Sequence, residues 1–160
     1  MPTLGLLDPE RHDLAAFASG EPSLDRYLQH YAWTNHCNGI ATTHVLAQRR
    51  AVLGYFSLSA AHLQLADLQP ADRALLPRYP VPAVRMGRLA IAREHQRKGL
   101  GELLLGFAVH RSLEMRTTLG VRVMLVDALE PAVDFYLAYG FRRTSAAAST
   151  LYLPLGAEDP

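Results

Sequence analysis

Within residues 85–105 the hydrophobic pattern changes from a continuous apolar run to apolar residues at helical spacing. The run from Arg85 to Ile91 is apolar enough for a buried strand, and a short polar turn follows it. Beyond the turn, apolar residues recur at helical spacing. They are Leu100, Leu103, Leu104, Phe107 and Ala108. The pattern therefore predicts a strand, a tight turn and a helix in immediate succession.

Two glycines, Gly99 and Gly101, stand where this helix begins. The first N–H groups of a helix lack intrahelical acceptors, and the helix dipole makes that end attractive to anions. Glycine also removes the side chains that would hold a phosphate away from those donors. We therefore predict an anion cradle suited to a pyrophosphate. An ordinary strand-to-helix turn is the alternative, because the Walker spacing is missing and Leu104 occupies the third glycine position of the dinucleotide fingerprint.

Upstream of this stretch, the pattern predicts an N-terminal element and one helix. The residues up to Arg11 are expected to form an edge strand or an ordered tail. The helix begins at Glu21-Pro22 and is stopped by Asn38-Gly39. The apolar stripe of this helix comprises Leu24, Tyr27, Leu28, Tyr31 and Ala32.

The next segments predict an antiparallel hairpin followed by a loop. Residues 40–48 and 51–65 are expected to pair, with Arg49-Arg50 at the turn. Gly54 inside the second strand indicates a bulge or a close approach of another backbone. The proline-rich segment 66–83 is expected to be a loop with one helical turn near residues 71–76.

Downstream of the glycines, the pattern predicts two helices and three strands. The first helix is expected to run to about Thr117 and to end at Gly120. A short buried strand, Val121 to Val126, comes next, and Glu130-Pro131 begins a helix that runs through Ala138 and is stopped by Gly140. The closing strands are expected from Phe141 onward and at residues 150–153.

Length and composition predict one globular domain over residues 1–160, with 49% hydrophobic residues and no internal repeat. No apolar run is long enough to span a bilayer, and no basic-plus-apolar leader is visible at the N-terminus. The single cysteine, Cys37, is interpreted as a small apolar residue on a helix rather than a nucleophile. We therefore expect a cytoplasmic protein with no membrane partner.

Net charge is only +1, but the basic residues are unevenly placed. Lys98 is the only lysine, and several arginines lie near the predicted cradle. These basic residues are Arg78, Arg85, Arg88, Arg93, Arg97 and Lys98. A solvated face is the ordinary interpretation of such charge, although a basic surface beside an anion site could also hold an RNA backbone.

Two motifs resemble a known family. Residues 96–101 read Gln-x-x-Gly-x-Gly, and Phe135-Tyr136-x-x-x-Gly-Phe follows after one further strand. In this order and at this separation, they resemble the acyl-CoA pyrophosphate loop and the second signature of the GNAT family of N-acetyltransferases. The resemblance covers residues 40–153. It implies an α/β (α+β) GNAT fold, with a mixed, mostly antiparallel central sheet whose central strands splay apart, flanked by helices.

Shorter matches resemble the toxin branch of this family. They are residues 88–91, 126–128, 135–136, 23–28 and 54–59, together with the glycine loop. Members of that branch are acetyltransferase toxins of type II toxin–antitoxin pairs, which modify aminoacyl-tRNA and pair with ribbon–helix–helix antitoxins. The resemblance thus implies aminoacyl-tRNA and such an antitoxin as partners. A homodimer is expected, although no residue in the sequence fixes the oligomeric state.

The resemblance also assigns an acetyl-CoA site, with acetyl-CoA as co-substrate and no metal. The residues it implies are Leu89, Ala90, Ile91, Gln96, Arg97, Lys98, Gly99, Leu100, Gly101 and Glu102. The backbone of the first three would pair with pantetheine, and the N–H groups of residues 97–102 would bind the pyrophosphate. A backbone N–H near Leu89 could stabilise the oxyanion of the reaction.

Acetyl transfer further needs a proton for the departing thiolate and an unprotonated amine. By the resemblance, Tyr136 is the candidate general acid, while a core aromatic is the alternative and is the interpretation preferred for Phe135. The central strand has no carboxylate base, and Glu94 or Asp127 could act through water or be structural. An α-amine, with a pKa of about 8 against about 10.4 for lysine, needs less help to lose its proton. The missing base therefore favours an α-amine as acceptor.

The function predicted from the sequence is acetylation of the α-amine of aminoacyl-tRNA, which would block translation. Arg78, Arg85 and Arg88 are the residues predicted to bind the RNA, although Arg88 could instead hold the central strand through a buried ion pair. Acetylation of a small amine, an antibiotic or a protein N-terminus is the alternative enzyme activity. A non-catalytic acyl-CoA-binding module is the alternative from another class.

Overall fold

The computed structural model describes residues 1–74, 76–145 and 147–156. Seven strands are present in the described part of the chain, and the sheet order is β1-β2-β3-β4-β5-β7-β6. The strands are β1 (Thr3–Leu6), β2 (Thr42–Gln48), β3 (Ala51–Leu63), β4 (Val81–Ile91), β5 (Val123–Asp127), β6 (Arg142–Arg143) and β7 (Thr150–Pro154). The helices are α1 (Pro22–Arg26), α2 (Ala32–Cys37), α3 (Pro70–Arg73), α4 (Leu100–Met115) and α5 (Val133–Ala138). This is the mixed, mostly antiparallel α/β fold that the sequence predicts.

The chain divides into two compact units. The first comprises Met1–Ser59 and Arg88–Ala108, and the second comprises Ala60–Gly87 and Val109–Pro160. The single domain predicted over residues 1–160 stays a prediction, and its last four residues lie outside the described part of the chain.

In the first unit, β1, β2 and β3 pair antiparallel, which confirms the predicted edge strand and hairpin. Arg49 turns the hairpin with a φ of 56°. A cluster of buried apolar side chains lies in this unit. Its members are Leu7, Phe17, Tyr27, Leu28, Ala32, Val45, Val52, Tyr55, Ala90 and Ala92.

The helix predicted between Glu21 and Asn38 has the expected ends but a different middle. A π-helical turn, Tyr27–Tyr31, separates α1 from α2. Because a π turn holds more residues than an α turn, the residues after it rotate around the helix axis. The predicted apolar stripe is therefore wrong at Tyr31, whose side chain is 54% exposed.

Gly54 lies at both a bulge and a close backbone approach, as predicted. The β2–β3 register shifts between Leu46 and Ala47, opposite this glycine. A Cβ atom placed on Gly54 would lie 2.7 Å from Ile91 Cδ1 and 2.9 Å from the backbone oxygen of Ala90. Only a residue without a side chain fits between these two strands.

Gly54→Ala should therefore destabilise the protein by about 1–3 kcal/mol, because the added methyl group overpacks against a backbone atom that cannot move aside. Urea denaturation would measure the change in the free energy of unfolding. Gly5→Ala is the matched control, since nothing lies within 4 Å of the Cβ that it would add to β1. Equal stability of the two variants would contradict the close approach.

The second unit contains the parallel pair of the sheet. β4 and β5 pair from Ala83↔Val123 to Met86↔Val126. The pairing ends there, although β4 continues to Ile91. A buried apolar cluster lies in this unit and comprises Leu63, Leu68, Val81, Ala83, Val123, Leu125 and Tyr152.

The loop before β4 is shorter than predicted. β4 begins at Val81, not after Ala83, because Pro82 is exposed and its carbonyl oxygen still accepts a hydrogen bond from Arg122 N at 2.9 Å. The predicted helical turn is α3, which starts at Pro70; residue 75 of the predicted range 71–76 lies outside the described residues.

Hydrogen bonds tie this loop to the last strands. Tyr152 Oη and Arg142 Nη1 both donate to the carboxylate of Asp72, and Gln69 N donates to Tyr152 Oη at 2.9 Å. Burial raises the pKa of Asp72, but the hydrogen bonds from Arg142 and Tyr152 outweigh it, and the net pKa is lowered. Asp72 is thus held as a carboxylate at neutral pH.

Candidate functional site

The predicted cradle lies in the first unit, between the end of β4 and the start of α4. A short 3₁₀ turn, Arg93–His95, leads into it. Arg97 and Gly99 then adopt left-handed backbone conformations, with φ values of 62° and 80°. Glycine enters this region freely, whereas an arginine is held there against its preference. The loop conformation is therefore specified by its surroundings as well as by its glycine.

The start of α4 presents backbone donors that have no protein acceptor. Leu103 N donates to Gly99 O at 3.1 Å and so closes the first turn. Within the described ranges, the N–H groups of Leu100, Gly101 and Glu102 donate no hydrogen bond. Three adjacent amide donors at the positive end of a 16-residue helix fit a pyrophosphate. Assignment of these residues to acetyl-CoA stays a prediction.

The side chains of Arg97 and Lys98 are exposed beside these donors. Neither forms a hydrogen bond or an ion pair with any residue that the structure describes. Both cations are therefore available to an anionic ligand, and a guanidinium can contact a phosphate through two N–H groups.

Gln96, the first residue of the motif, has protein partners for its side chain, and its assignment to acetyl-CoA stays a prediction. Its side-chain Nε2 donates to Ser19 O at 2.7 Å and to Ile91 O at 2.9 Å. Both amide hydrogens are therefore used within the protein. The structure thus gives the side chain of Gln96 the task of holding the loop.

The strand residues predicted to contact pantetheine lie at the end of β4. Ala90 is buried, and Leu89 and Ile91 are half-buried. Ala92 N donates to Leu53 O at 2.8 Å, which fixes the strand against β3. The carbonyl of Ile91 already accepts the bond from Gln96. The pairing of these residues with pantetheine stays a prediction.

Two of the three arginines predicted to bind RNA have protein partners. Arg88 Cζ lies 3.6 Å from the centre of the Tyr27 ring, a cation–π contact in place of the ion pair considered as the alternative. In the second unit, Arg85 Nη1 lies 3.0 Å from Asp127 Oδ2, and both side chains are 40% exposed. Arg78 is exposed. The structure therefore divides these residues between the two units.

The two carboxylates considered as bases also differ. Asp127 is paired with Arg85 and also accepts a hydrogen bond from Thr150 Oγ1 at 3.4 Å. Glu94 is exposed on the 3₁₀ turn before the loop. The pairing of Asp127 favours the structural alternative for that residue.

Tyr136 is the buried tyrosine of α5. Its side chain is 5% exposed, and its ring makes edge contacts with Phe135 and Phe141 at centroid distances of 5.2 and 5.3 Å. Burial raises the pKa of its hydroxyl. The group therefore keeps its proton at neutral pH, as a general acid must. Phe135 is only half-buried, and it also contacts the ring of Tyr139.

The raised pKa values predict a loss of stability in alkali. Burial raises the pKa of both Tyr136 and Tyr55, so the folded chain keeps protons that the unfolded chain releases above about pH 10. The free energy of unfolding should fall by about 1.4 kcal/mol per pH unit for each tyrosine above that pH. Urea denaturation between about pH 8 and pH 11.5 would measure it. Tyr136→Phe should make the decline shallower, and an unchanged slope would contradict the assignment.

The sequence patterns did not identify Tyr55 and Ser19, whose side chains form hydrogen bonds inside the first unit. Tyr55 Oη donates to Leu24 O at 2.6 Å, and Ser19 bonds to Asp25. The sequence offers one signal for Tyr55, because residues 54–59 resemble the toxin branch, and none for Ser19, which lies outside the matching stretches.

No helix in the described part of the chain is both long and apolar enough to cross a membrane. Within the same residues, no group of three or more His, Cys, Asp or Glu side chains is arranged to hold a metal ion.

The family model described as "Acetyltransferase (GNAT) domain" matches residues 41–143, which include both predicted motifs. The chain belongs to the GNAT acetyltransferase family. Curated relatives of this GNAT chain include a "tRNA-acetylating toxin" from Mycobacterium tuberculosis, 37% identical over 130 residues, covering 81% of this chain and 78% of the relative. A "Probable toxin TacT" from Sinorhizobium fredii is 24% identical over 160 residues, covering 93% and 88%.

Solved structures extend the similarity over nearly the whole chain. A mutant of KacT superposes with a TM-score of 0.90 at 25% identity, covering 96% of this chain and 95% of that one. AtaT complexed with acetyl-methionyl-tRNAfMet superposes with a TM-score of 0.89 at 28% identity, with the same coverage. A structure of AtaTR bound with AcCoA has a TM-score of 0.83 at 29% identity, covering 96% and 94%.

Proposed function

We propose that this chain is the toxin of a type II toxin–antitoxin pair, which transfers the acetyl group of acetyl-CoA to the α-amine of aminoacyl-tRNA. The observation that carries the proposal is the 37% identity to a tRNA-acetylating toxin over 81% of the chain. The complex of AtaT with acetyl-methionyl-tRNAfMet, 28% identical, supports the same substrate class. The reaction would act in the cytoplasm, where charged tRNA is found.

The loop between β4 and α4 supports acetyl-CoA as the co-substrate. Acetyl-CoA supplies an activated acyl group when bound. The N–H groups of Leu100, Gly101 and Glu102 would hold the pyrophosphate, together with the cations of Arg97 and Lys98. The left-handed Gly99 aligns these donors, and a side chain at Gly101 would crowd the anion. The backbone of Leu89 to Ile91 would bind the pantetheine amides.

Within this proposal Tyr136 holds a proton on Oη for the departing sulfur, because burial keeps its hydroxyl protonated. The α-amine loses its own proton to water, since a pKa of about 8 leaves a substantial neutral fraction at neutral pH. No carboxylate base is then needed. The backbone N–H of Leu89 is the proposed donor to the oxygen that becomes negative.

The arginines would contribute to RNA binding through phosphates, without reading bases. Arg78 is exposed. Arg85 would contact RNA while paired with Asp127, and Arg88 would do so while stacked on Tyr27. Because each neutralised phosphate releases counterions, activity on charged tRNA should fall steeply as salt is added.

A direct assay tests the substrate. The protein would be incubated with labelled acetyl-CoA and total charged tRNA, and the RNA would then be treated with alkali to release the amino acid. Label recovered as an N-acetyl amino acid supports the proposal. Acetylation of free small amines with no label on RNA would favour the small-amine enzyme, and binding without turnover on any amine would favour the acyl-CoA-binding module.

The proposed partner is an antitoxin of ribbon–helix–helix type, and the proposed assembly of the toxin is a homodimer. Structures of AtaT with the C-terminus of AtaR and of a KacTA–DNA complex support a toxin–antitoxin assembly. Expression of this chain alone should arrest growth, and co-expression with the adjacent reading frame should restore it and give a complex that co-purifies. Absence of toxicity would remove the toxin assignment.

A further inference from the structure

A short segment of the first unit, Ala18–Gly20, contacts the start of the cofactor loop; we call it the anchor segment. Arg93 N donates to Ala18 O at 2.8 Å, and Gln96 Nε2 donates to Ser19 O at 2.7 Å. Gln96 Nε2 also donates to Ile91 O at 2.9 Å. The residue that opens the Gln-x-x-Gly-x-Gly motif is thus fixed to the anchor segment and to the end of β4.

Asp25 of α1 holds the anchor segment from its other side. Its Oδ1 atom accepts hydrogen bonds from Ser19 N at 2.9 Å and from Ser19 Oγ at 2.6 Å. Ser19 is 8% exposed, and its hydroxyl oxygen also accepts a bond from Glu21 N at 3.2 Å. Hydrogen bonds to a carboxylate are stronger than those between neutral groups. One carboxylate therefore orients the residue whose carbonyl receives Gln96.

The anchor segment also contacts the side chain of Arg93. Gly20 has a φ of 96°, and a Cβ atom placed on it would lie 3.1 Å from Nη2 of Arg93. The backbone therefore turns sharply directly beside the 3₁₀ turn that leads into the cradle.

We propose that Asp25, Ser19 and Gln96 form a positioning relay that sets the conformation of the cofactor loop, and with it the affinity for acetyl-CoA. The inference rests on the proposed function of this loop as the acetyl-CoA site. Arg97, which follows Gln96 directly, has a φ of 62°, and such a conformation persists only where the surroundings determine it. The relay supplies that determination, and its members act through the loop rather than by touching the reacting atoms.

Two single variants test the relay. Asp25→Ala removes the acceptor for Ser19, and Gln96→Leu removes both side-chain donors. Each should weaken acetyl-CoA binding roughly tenfold in calorimetry, the scale of one or two lost hydrogen bonds. The KM for acetyl-CoA should rise by the same factor, while kcat at saturating acetyl-CoA stays within about twofold.

Two further variants distinguish the loss of the hydrogen bonds to Asp25 from the loss of a negative charge in this region. Asp25→Asn keeps an oxygen that can accept both bonds from Ser19, so its acetyl-CoA affinity should stay within about threefold of wild type. Glu21→Ala removes an exposed carboxylate that directly follows the anchor segment, and acetyl-CoA affinity should not change. Amide hydrogen exchange would follow the N–H groups of residues 97–102, which should exchange faster in Asp25→Ala, with β5 as the internal reference.

The double variant Asp25→Ala with Gln96→Leu decides whether the residues act in one chain. If the residues act in one relay, either change alone already disrupts it. The double variant should therefore bind acetyl-CoA with about the same affinity as the single variant that binds it less tightly. Multiplicative losses, or Asp25→Ala binding acetyl-CoA with wild-type affinity, would overturn the relay. If the wild type itself binds no acetyl-CoA, the proposed function fails, and not the relay alone. Calorimetric titration of the wild type with acetyl-CoA therefore distinguishes failure of the proposed function from failure of the relay.

Discussion

Tyr136→Phe should bind acetyl-CoA with wild-type affinity and transfer the acetyl group about 10²–10⁴-fold more slowly, the usual loss when a general acid is removed. Phenylalanine keeps the ring contacts with Phe135 and Phe141, so the packing of α5 should not change. The variant lacks only the proton that burial holds on the hydroxyl. Single-turnover measurements on charged tRNA would give the rate of the chemical step.

Tyr139→Phe is the matched control, because it makes the same change three residues away on an exposed tyrosine. It should keep the wild-type rate. Melting temperatures of both variants would show that neither change unfolds the protein. Full turnover by Tyr136→Phe would reduce this residue to a packing role and leave the thiolate to be protonated by water.

The cradle could be predicted from sequence because its determinants are local. Gly99 must be glycine for its own φ, and the donors of α4 follow from where the helix begins. Gly54 was predictable for the same reason, since a glycine inside a strand marks a bulge or a close contact. Local rules of this kind predict the motifs and most boundaries of the helices and strands.

The partners of side chains could not be predicted, because they are distant in sequence. Gln96 lies 77 residues from Ser19, and nothing in the motif indicates that its side chain bonds to that residue. Charge predicts that Arg88 binds RNA or forms an ion pair, and it gives no sign that the guanidinium stacks on Tyr27. Charge and spacing indicate which kinds of interaction a side chain can form. Which partner it contacts depends on the tertiary structure.

The π turn at Tyr27–Tyr31 was missed for a related reason. Periodicity predicts one α-helix throughout residues 21–38, because no single residue in that range marks an inserted position. The turn carries Tyr27, whose ring contacts Arg88 and whose hydroxyl accepts a bond from Asn35 Nδ2 at 3.2 Å. Tertiary contacts of this kind select a helix geometry that periodicity alone does not show.

Gly101→Val should leave the protein folded and weaken acetyl-CoA binding by roughly 100-fold or more. The residue lies in the first turn of α4, among the three amides that have no acceptor in the described part of the chain. A branched side chain there would hold the pyrophosphate away from these donors. The loss of two hydrogen bonds to a charged group, each about 1.5 kcal/mol or more, corresponds to that factor.

Gly106→Val supplies the matched control on the same helix. Gly106 is exposed, and nothing lies within 4 Å of the Cβ that the change would add. Valine has a somewhat better helix propensity than glycine, so Gly106→Val should melt at or slightly above the wild-type temperature. A melting curve of Gly101→Val would show that this variant is folded. Calorimetry should then show wild-type acetyl-CoA affinity for Gly106→Val and its loss for Gly101→Val. Equal affinity of the two folded variants would place the pyrophosphate elsewhere and remove the cradle at the start of α4 from the proposed mechanism.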